Sequence, residues 1–512
     1  MSADERRARR GRPGGGGNGP GRGGGAGGGA GRGGGGAGGG RGDGSAGGGA
    51  GRGGGGAGRR RNAPPGSRAT GPKHDPSDPR RAAVEVLARV EGGAFADVLV
   101  GERIARGALD PREAALFTRL VYGTEAWRGR LDWTLSGLAR RPLEDLAPAV
   151  RAALRLGLFQ LLLLDRVPAH AAVDTTVTIV KQAAGAGAAA FANAVLRGCL
   201  RTGERALPDA DAERELHLAV RWSHPEWLVR LWRDELGDAR TTALLEANAE
   251  PAPTVVRVDP AVASRDEVLA RLAARGVTAR ATTYSAHGLV IEATVTALGR
   301  ESGLTLQGEA SQLVVDVLDP RPDERVLDLC AAPGGKTGAI AERVRPARVF
   351  AADRSRPGVR RIATLPAARD GRVLALVADA GAPPLGTTFD AVLVDAPCSG
   401  LGTLRAHPEI RWRRTPEDLE RLAARQEAIL ARAADLVRPG GRLVYATCTV
   451  ARAENERVVE RFLARRADFR RGDARPHLPE PGRVLAGDDG MLRTSPDVGG
   501  LDGFFAARLE RG

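Results

Sequence analysis

Fourteen consecutive residues, Arg325-Val-Leu-Asp-Leu-Cys-Ala-Ala-Pro-Gly-Gly-Lys-Thr-Gly338, constrain this chain more than any other stretch. Val326, Leu327 and Leu329 predict a short strand with Asp328 near its end. Ala331 to Gly335 break that strand with small residues, a proline and two glycines, and from Lys336 the pattern predicts a helix. Strand, glycine turn and helix bring a backbone close to a ligand with a helix N-terminus aimed at it. Glycine suits the turn because a Cβ there would collide with the ligand or forbid the conformation.

The rest of the chain has to be compatible with that unit. At 512 residues it exceeds one ordinary domain, and about three are expected. No apolar run approaches the roughly 18 residues of a membrane span, and Met1 to Arg12 is charged and runs into glycine, so no membrane or secretory segment is expected. The four cysteines, Cys199, Cys330, Cys398 and Cys448, are far apart and form no Cys-x-x-Cys. They predict no metal site or disulfide framework and fit a reducing cytoplasm.

Residues 1–77 hold 14 Lys+Arg against 4 Asp+Glu, so +10 of the formal +14 lies in this Gly/Arg-rich tail. With almost no large apolar side chain, the tail is expected to be disordered. It could add non-specific RNA affinity or be a low-complexity leader without specific function.

From 78 to 205, apolar residues at helical spacing predict an all-α bundle, with helices at Arg112–Tyr122, Leu131–Leu138, Leu146–Leu164, Val173–Ala183 and Ala189–Leu200. Residues 206–302 predict a small α+β sheet of the RRM type. It has a strand at Thr254–Val258, a helix at Ser264–Arg275 and a strand pair within Ala279–Ala293, and tryptophans at 222, 227 and 232 precede it as core residues. From 303 to 512, strands alternate with helices, which predicts a mostly parallel α/β sheet covered on both faces. Met491–Thr494 and Gly503–Leu509 are expected as two antiparallel edge strands.

Cys330–Thr337 is close to a phosphate-binding P-loop, with cysteine where the first glycine should stand, and Phe389–Asp395 could pass as its partner strand. The carboxylates favour another ligand. Predicted strands end at Asp353, Asp379 and Asp395, all at the edge where open α/β sheets bind ligands. Asp353 lies 19 residues past Gly334, near the spacing of a ribose-binding acid. Three acids repel a triphosphate but suit a ribose, an adenine and a positive sulfonium, which together describe S-adenosylmethionine.

Asp395-Ala-Pro-Cys-Ser-Gly400 and Ala446-Thr-Cys-Thr449 follow two further strands, so both cysteines are expected at the same edge. Carbon 5 of cytosine is not nucleophilic until a thiolate adds to C6, so a methylase acting there needs covalent catalysis. A catalytically idle RNA-binding factor and a P-loop NTPase remain the competing readings.

Taken together, Cys330–Thr337, Asp395–Gly400 and Ala446–Cys448, with Gln307-Gly-Glu-Ala-Ser-Gln312 and Asp502-Gly-Phe-Phe505, resemble the Nop/Sun RNA cytosine-C5 methyltransferases. The helical front half, with Phe191-Ala-Asn-Ala-Val-Leu-Arg197, is similar to the NusB-like domain of the bacterial Fmu/RsmB branch, which methylates 16S rRNA. The resemblance implies a Rossmann-like class I methyltransferase with a seven-stranded sheet. It implies Cys448 as nucleophile, Cys398 as the residue for product release, Asp395 facing base N3 and Lys336 near the methionine moiety or the base. Cys330, Ala331, Ala332, Pro333, Gly334, Gly335 and Lys336, with Asp353, Asp379 and Asp395, would hold the cofactor. The implied partner is 16S rRNA before or during small-subunit assembly.

Overall fold

The structure is a computed structural model that describes residues 78–292, Leu298 and 301–512. The expected disorder of the tail at 1–77 lies outside the described residues.

Six helices build the N-terminal bundle: Pro79–Glu91, Ala96–Ala105, Pro111–Ala126, Arg128–Leu138, Pro148–Leu163 and Ala169–Thr202. Their starts follow local chemistry. Proline opens three of them, and Asp78 and Asp110 accept hydrogen bonds from the freed amides, Asp110 in a capping box with Glu113. The two helices expected at 173–183 and 189–200 abut across Gly185, whose φ of 84° only glycine adopts cheaply. Ala169–Thr202 is long and apolar enough, by length and composition, to cross a membrane. Val173, Ile179, Val180, Val195 and Leu196 from it are instead buried in the bundle core with Phe117, Leu120 and Leu154.

Helices Arg214–Arg221, Glu226–Leu236 and Asp238–Ala247 follow. Trp232 is fully buried in a core cluster, and Trp222 and Trp227, half-buried, pack against that cluster. That cluster includes Leu401, Leu404, Leu419 and Ala451, so these helices pack on the loops of the C-terminal domain.

Strands β1 (Thr254–Val258), β2 (Ala279–Ala281), β3 (Gly288–Ile291) and β4 (Leu304–Leu306) form an antiparallel sheet of order β2-β3-β1-β4. Helix Arg265–Ala274 covers it with Val268 and Leu272.

The large sheet contains β5 (Val326–Asp328), β6 (Val349–Asp353), β7 (Val373–Val377), β8 (Phe389–Asp395), β9 (Val437–Thr447), β10 (Phe469–Arg471), β11 (Leu492–Thr494) and β12 (Phe504–Arg511). Its order is β10-β12-β9-β8-β5-β6-β7, parallel from β7 to β9. β12 runs antiparallel between β9 and an outer position that β10 and β11 share end to end. Two expectations are thereby corrected: β12 is interior rather than an edge, and an eighth strand joins the seven. The chain winds outward from β5 to β7 and then restarts at β8, so the topological switch lies between β5 and β8. Alternation supplies both faces. Val326, Ala391 and Leu393 enter one core, and Leu327, Val392 and Val394 the other.

Candidate active site

The glycine turn leaves β5 at the switch point. The amide of Leu329 donates to Leu393 O at 2.9 Å and that of Ala331 to Ala352 O at 3.0 Å, so the turn is tied to the strands on both sides. Gly334 caps helix Gly335–Arg343 at φ 110°, and a Cβ there would lie 3.0 Å from Leu365 and 3.2 Å from Ile362. Both the backbone angle and the packing demand glycine.

Beneath the turn, Asp328 is 1% exposed and accepts a 2.7 Å bond from Thr337 Oγ1, which clips the strand end to the first helical turn. Its other oxygen, Oδ1, is buried without a partner. Burial pushes this carboxyl up to about 7, with nearby Asp395 and Asp353 adding to the shift.

The expected acids line the same rim. Asp353 ends β6 and accepts from Ala332 N at 3.0 Å and Ser355 N at 2.7 Å, which fixes its carboxylate beside the turn. Asp379, just past β7, is exposed and accepts from Gly381 N at 2.9 Å. Asp395 ends β8, and its Oδ2 lies 2.8 Å from Lys336 Nζ. The ammonium also lies 4.9 Å from the centre of the Phe504 ring, a cation–π contact from the start of β12. A compact ammonium fits between carboxylate and ring, in a chain whose only other lysines are Lys73 and Lys181.

The two cysteine loops meet beyond β8 and β9. Cys398 Sγ and Cys448 Sγ are 3.3 Å apart, and the Cys448 amide donates to Cys398 Sγ, also at 3.3 Å. Contact with Cys448, then burial, holds the Cys398 thiol well above its usual range. Cys330 packs against the core under the sheet, and burial raises its thiol as well.

Several side chains outside the sequence motifs hold these loops. Glu454, fully buried, accepts from Ser399 N and Gln426 Nε2, both at 2.9 Å, and Gln426 also donates to Pro397 O at 3.0 Å. Arg414 Nε donates to Ser399 O at 2.8 Å. Gly402 N donates to Cys448 O at 3.0 Å, and Gly503 N to Gly402 O at 2.7 Å, stitching both loops to the start of β12. Glu454 stands six residues past Cys448 with no spacing that marks it; Arg414 and Gln426 lie on segments that read as a surface turn and an ordinary amphipathic helix.

The residues around the turn fit S-adenosylmethionine. Two fixed carboxylates and an exposed third offer acceptors to hydroxyls and a cation, and the ammonium of Lys336 is already paired with Asp395. A triphosphate would meet those same acids.

A parallel sheet with this switch point, a glycine turn there and acids ending successive strands define an S-adenosylmethionine-dependent methyltransferase. Comparison with known proteins agrees. Residues 315–510 match the model of the 16S rRNA methyltransferase RsmB/F family, 77–201 the NusB family and 224–297 the RsmF/B-like ferredoxin-like domain. The probable ribosomal RNA small subunit methyltransferase B of Bacillus subtilis is 35% identical over 445 residues, covering 84% of this chain and 98% of the relative. Ribosomal RNA small subunit methyltransferase B of Pseudomonas putida is 34% identical over 449 residues, covering 84% and 98%. The crystal structure of PH0851 superposes with a TM-score of 0.73 at 26% identity, covering 85% of this chain and 98% of that one. The chain belongs to the RsmB/F family of rRNA small-subunit methyltransferases.

Proposed function

We propose that the protein transfers a methyl group to C5 of a cytosine in 16S rRNA, in the cytoplasm, before or during small-subunit assembly. The observation that carries this reading is the pair of free thiols, 3.3 Å apart, beside the rim that holds the Lys336–Asp395 pair. Methylation of an exocyclic nitrogen needs no sulfur nucleophile; methylation of C5 does.

In this reading the turn Cys330–Lys336 holds the cofactor, with Asp353 on the ribose and Asp379 on the adenine. S-adenosylmethionine, when bound, supplies an electrophilic methyl. Cys448, as thiolate, adds to C6 of a cytosine taken out of its stack, and the electron pair of the C5–C6 double bond moves to C5. Asp395 faces N3 and, as a carboxyl, hydrogen-bonds to or protonates N3 as negative charge develops on the ring, with Lys336 2.8 Å away positioning it. After C5 is methylated, its proton leaves, the C5–C6 double bond re-forms and the C6–S bond breaks. That proton passes to solvent, and Cys398, with its sulfur 3.3 Å from that of Cys448, assists the elimination that releases the product.

The test is methyl transfer to unmodified 16S rRNA, with bisulfite sequencing to locate the product and denaturing gels to detect covalent protein–RNA adduct. Cys448→Ala is expected to lose at least about 1,000-fold in rate, the scale of deleting a catalytic nucleophile, while still binding S-adenosylhomocysteine. Cys398→Ala is expected to accumulate the adduct. An adduct found with Cys448→Ala instead would exchange the two roles, and methylation at nitrogen would overturn the reading.

A further inference from the structure

Where the helical bundle meets the C-terminal domain, three potential metal ligands converge outside the site described above. Asp97 stands in the first turn of helix Ala96–Ala105, while His407 and Glu409 lie on the segment that follows the Pro-Cys loop. Their ligand atoms all lie within 4.8 Å of one another. Asp97 is exposed, His407 half-buried and Glu409 1% exposed.

Glu409 is the informative member. Its Oε1 accepts the amide of Ala96 at 3.1 Å, which caps a helix whose own N-cap, Phe95, offers no side-chain acceptor. Its Oε2 is buried without a partner. A buried carboxylate oxygen left unpaired costs free energy that a bound cation would recover. Arg411, two residues on, feels the charge of Glu409 but makes no hydrogen bond or ion pair with it: its terminal nitrogens donate to Ser223 O and Leu404 O, both at 3.1 Å, and to Ala126 O at 3.5 Å, and its Nε has no partner. Tyr122 also faces Asp97 and Glu409, and burial with those two charges holds its phenol protonated. Among the described residues no hydrogen bond or ion pair joins Asp97, His407 and Glu409 to one another.

We propose that Asp97, His407 and Glu409 hold one zinc-class divalent cation that clamps the helical domain to the segment following the Cys398 loop. One imidazole and two carboxylates are a common donor set for such ions, with water completing the shell. Ligand bonds of about 2.1 Å set tetrahedral donors roughly 3.4 Å apart, so closure asks for a movement of about an ångström. The exposed Asp97 and half-buried His407 can supply it around a fixed Glu409. The cation is structural, and the clamp has a route to the catalytic loop: Arg414, on the same segment, donates to Ser399 O beside Cys398. The absence of a Cys-x-x-Cys excluded a thiolate site from the sequence but says nothing about an oxygen and nitrogen site made by residues about 310 positions apart.

The experiment uses the full chain, stripped with chelator, and titrates it with Zn2+ by calorimetry and with Co2+ by visible spectroscopy. One cation per chain at micromolar concentration is expected, with a cobalt spectrum lacking a thiolate charge-transfer band. Asp97→Asn and His407→Ala should each weaken binding by at least about tenfold. Zn2+ should raise the first unfolding midpoint of the wild type by mass action and leave that of His407→Ala unmoved. Asp97 is exposed, so its variant separates ligand loss from misfolding. Three results overturn the proposal: no stoichiometric binding, a thiolate band that puts the cation on Cys398 and Cys448, or affinity unchanged in both variants.

Discussion

Gly402 has no room for a side chain, since a Cβ there would lie 1.9 Å from Gly503 O and 2.6 Å from Gly503 C. Backbone cannot yield as a flexible side chain can, so the two loops must part. Gly402→Ala is expected to cost roughly 1–3 kcal/mol, the range for overpacking, and to shift Phe504 away from Lys336. Under the proposed chemistry it lowers kcat more than it raises KM, which steady-state kinetics on rRNA would read; an unchanged kcat would show that the stitch does not position the site. The thiols make a second residue-level test. Contact with Cys448 and burial raise Cys398, and burial raises Cys330, so both stay protonated at neutral pH. Since only thiolate reacts, peptide mapping after iodoacetamide should show slow labelling of Cys330 and Cys398 at neutral pH, rising with alkalinity. Fast labelling of Cys398 at neutral pH would contradict the environment described for it.

Among the elements, the segment Pro408–Trp412 with Arg413 and Arg414 joins domains that the chain separates by more than 280 residues. Trp412 Nε1 donates to Glu125 O at 3.2 Å, and Arg413 donates to Val90 O at 2.8 Å and to Ala94 O. Arg411 is wholly buried, and burial brings its guanidinium down to about 9. Arg411→Met removes the buried charge but leaves the carbonyls of Ser223 and Leu404 without their donor. A loss of about 3 kcal/mol is expected, seen as faster proteolysis between the bundle and the C-terminal domain. None of this docking is legible in the sequence. The glycine turn, the strand-end acids and both cysteine motifs are legible because each is a local pattern of a few residues. Arg411 and Glu409 carry no such signature, because what buries them comes from the other end of the chain. The helices from 214 to 247 show the same limit. Their periodicity says that Trp232 is buried, but not that Leu401 and Leu404 are among the residues that bury it.

At the scale of the whole molecule, the interface carries a charge that responds to pH. Glu125 is 2% exposed on the bundle side, next to the carbonyl that receives Trp412. Burial pushes its carboxyl up to about 7 from an ordinary 4.5, against the opposing pull of Arg128 and Arg155. A carboxyl raised in the folded state holds a proton that the unfolded chain releases, so folding is favoured below the unfolded pKa and loses that advantage as pH rises through the folded one. The loss therefore falls between about pH 4.5 and 7 and is complete by pH 8. Asp328, also raised to about 7, contributes in the same direction from the other domain. For Glu125 the expected decline between pH 5.5 and 8 is roughly 2 kcal/mol. Glu125→Gln keeps the shape and cannot ionise, so it should remove that part of the decline and be more stable than wild type at pH 8. Urea unfolding at the two pH values, followed by tryptophan fluorescence at Trp127 and Trp412, measures it. Equal slopes for the two proteins would mean that Arg128 and Arg155 already hold Glu125 ionised in the folded bundle. The pH response would then belong to Asp328.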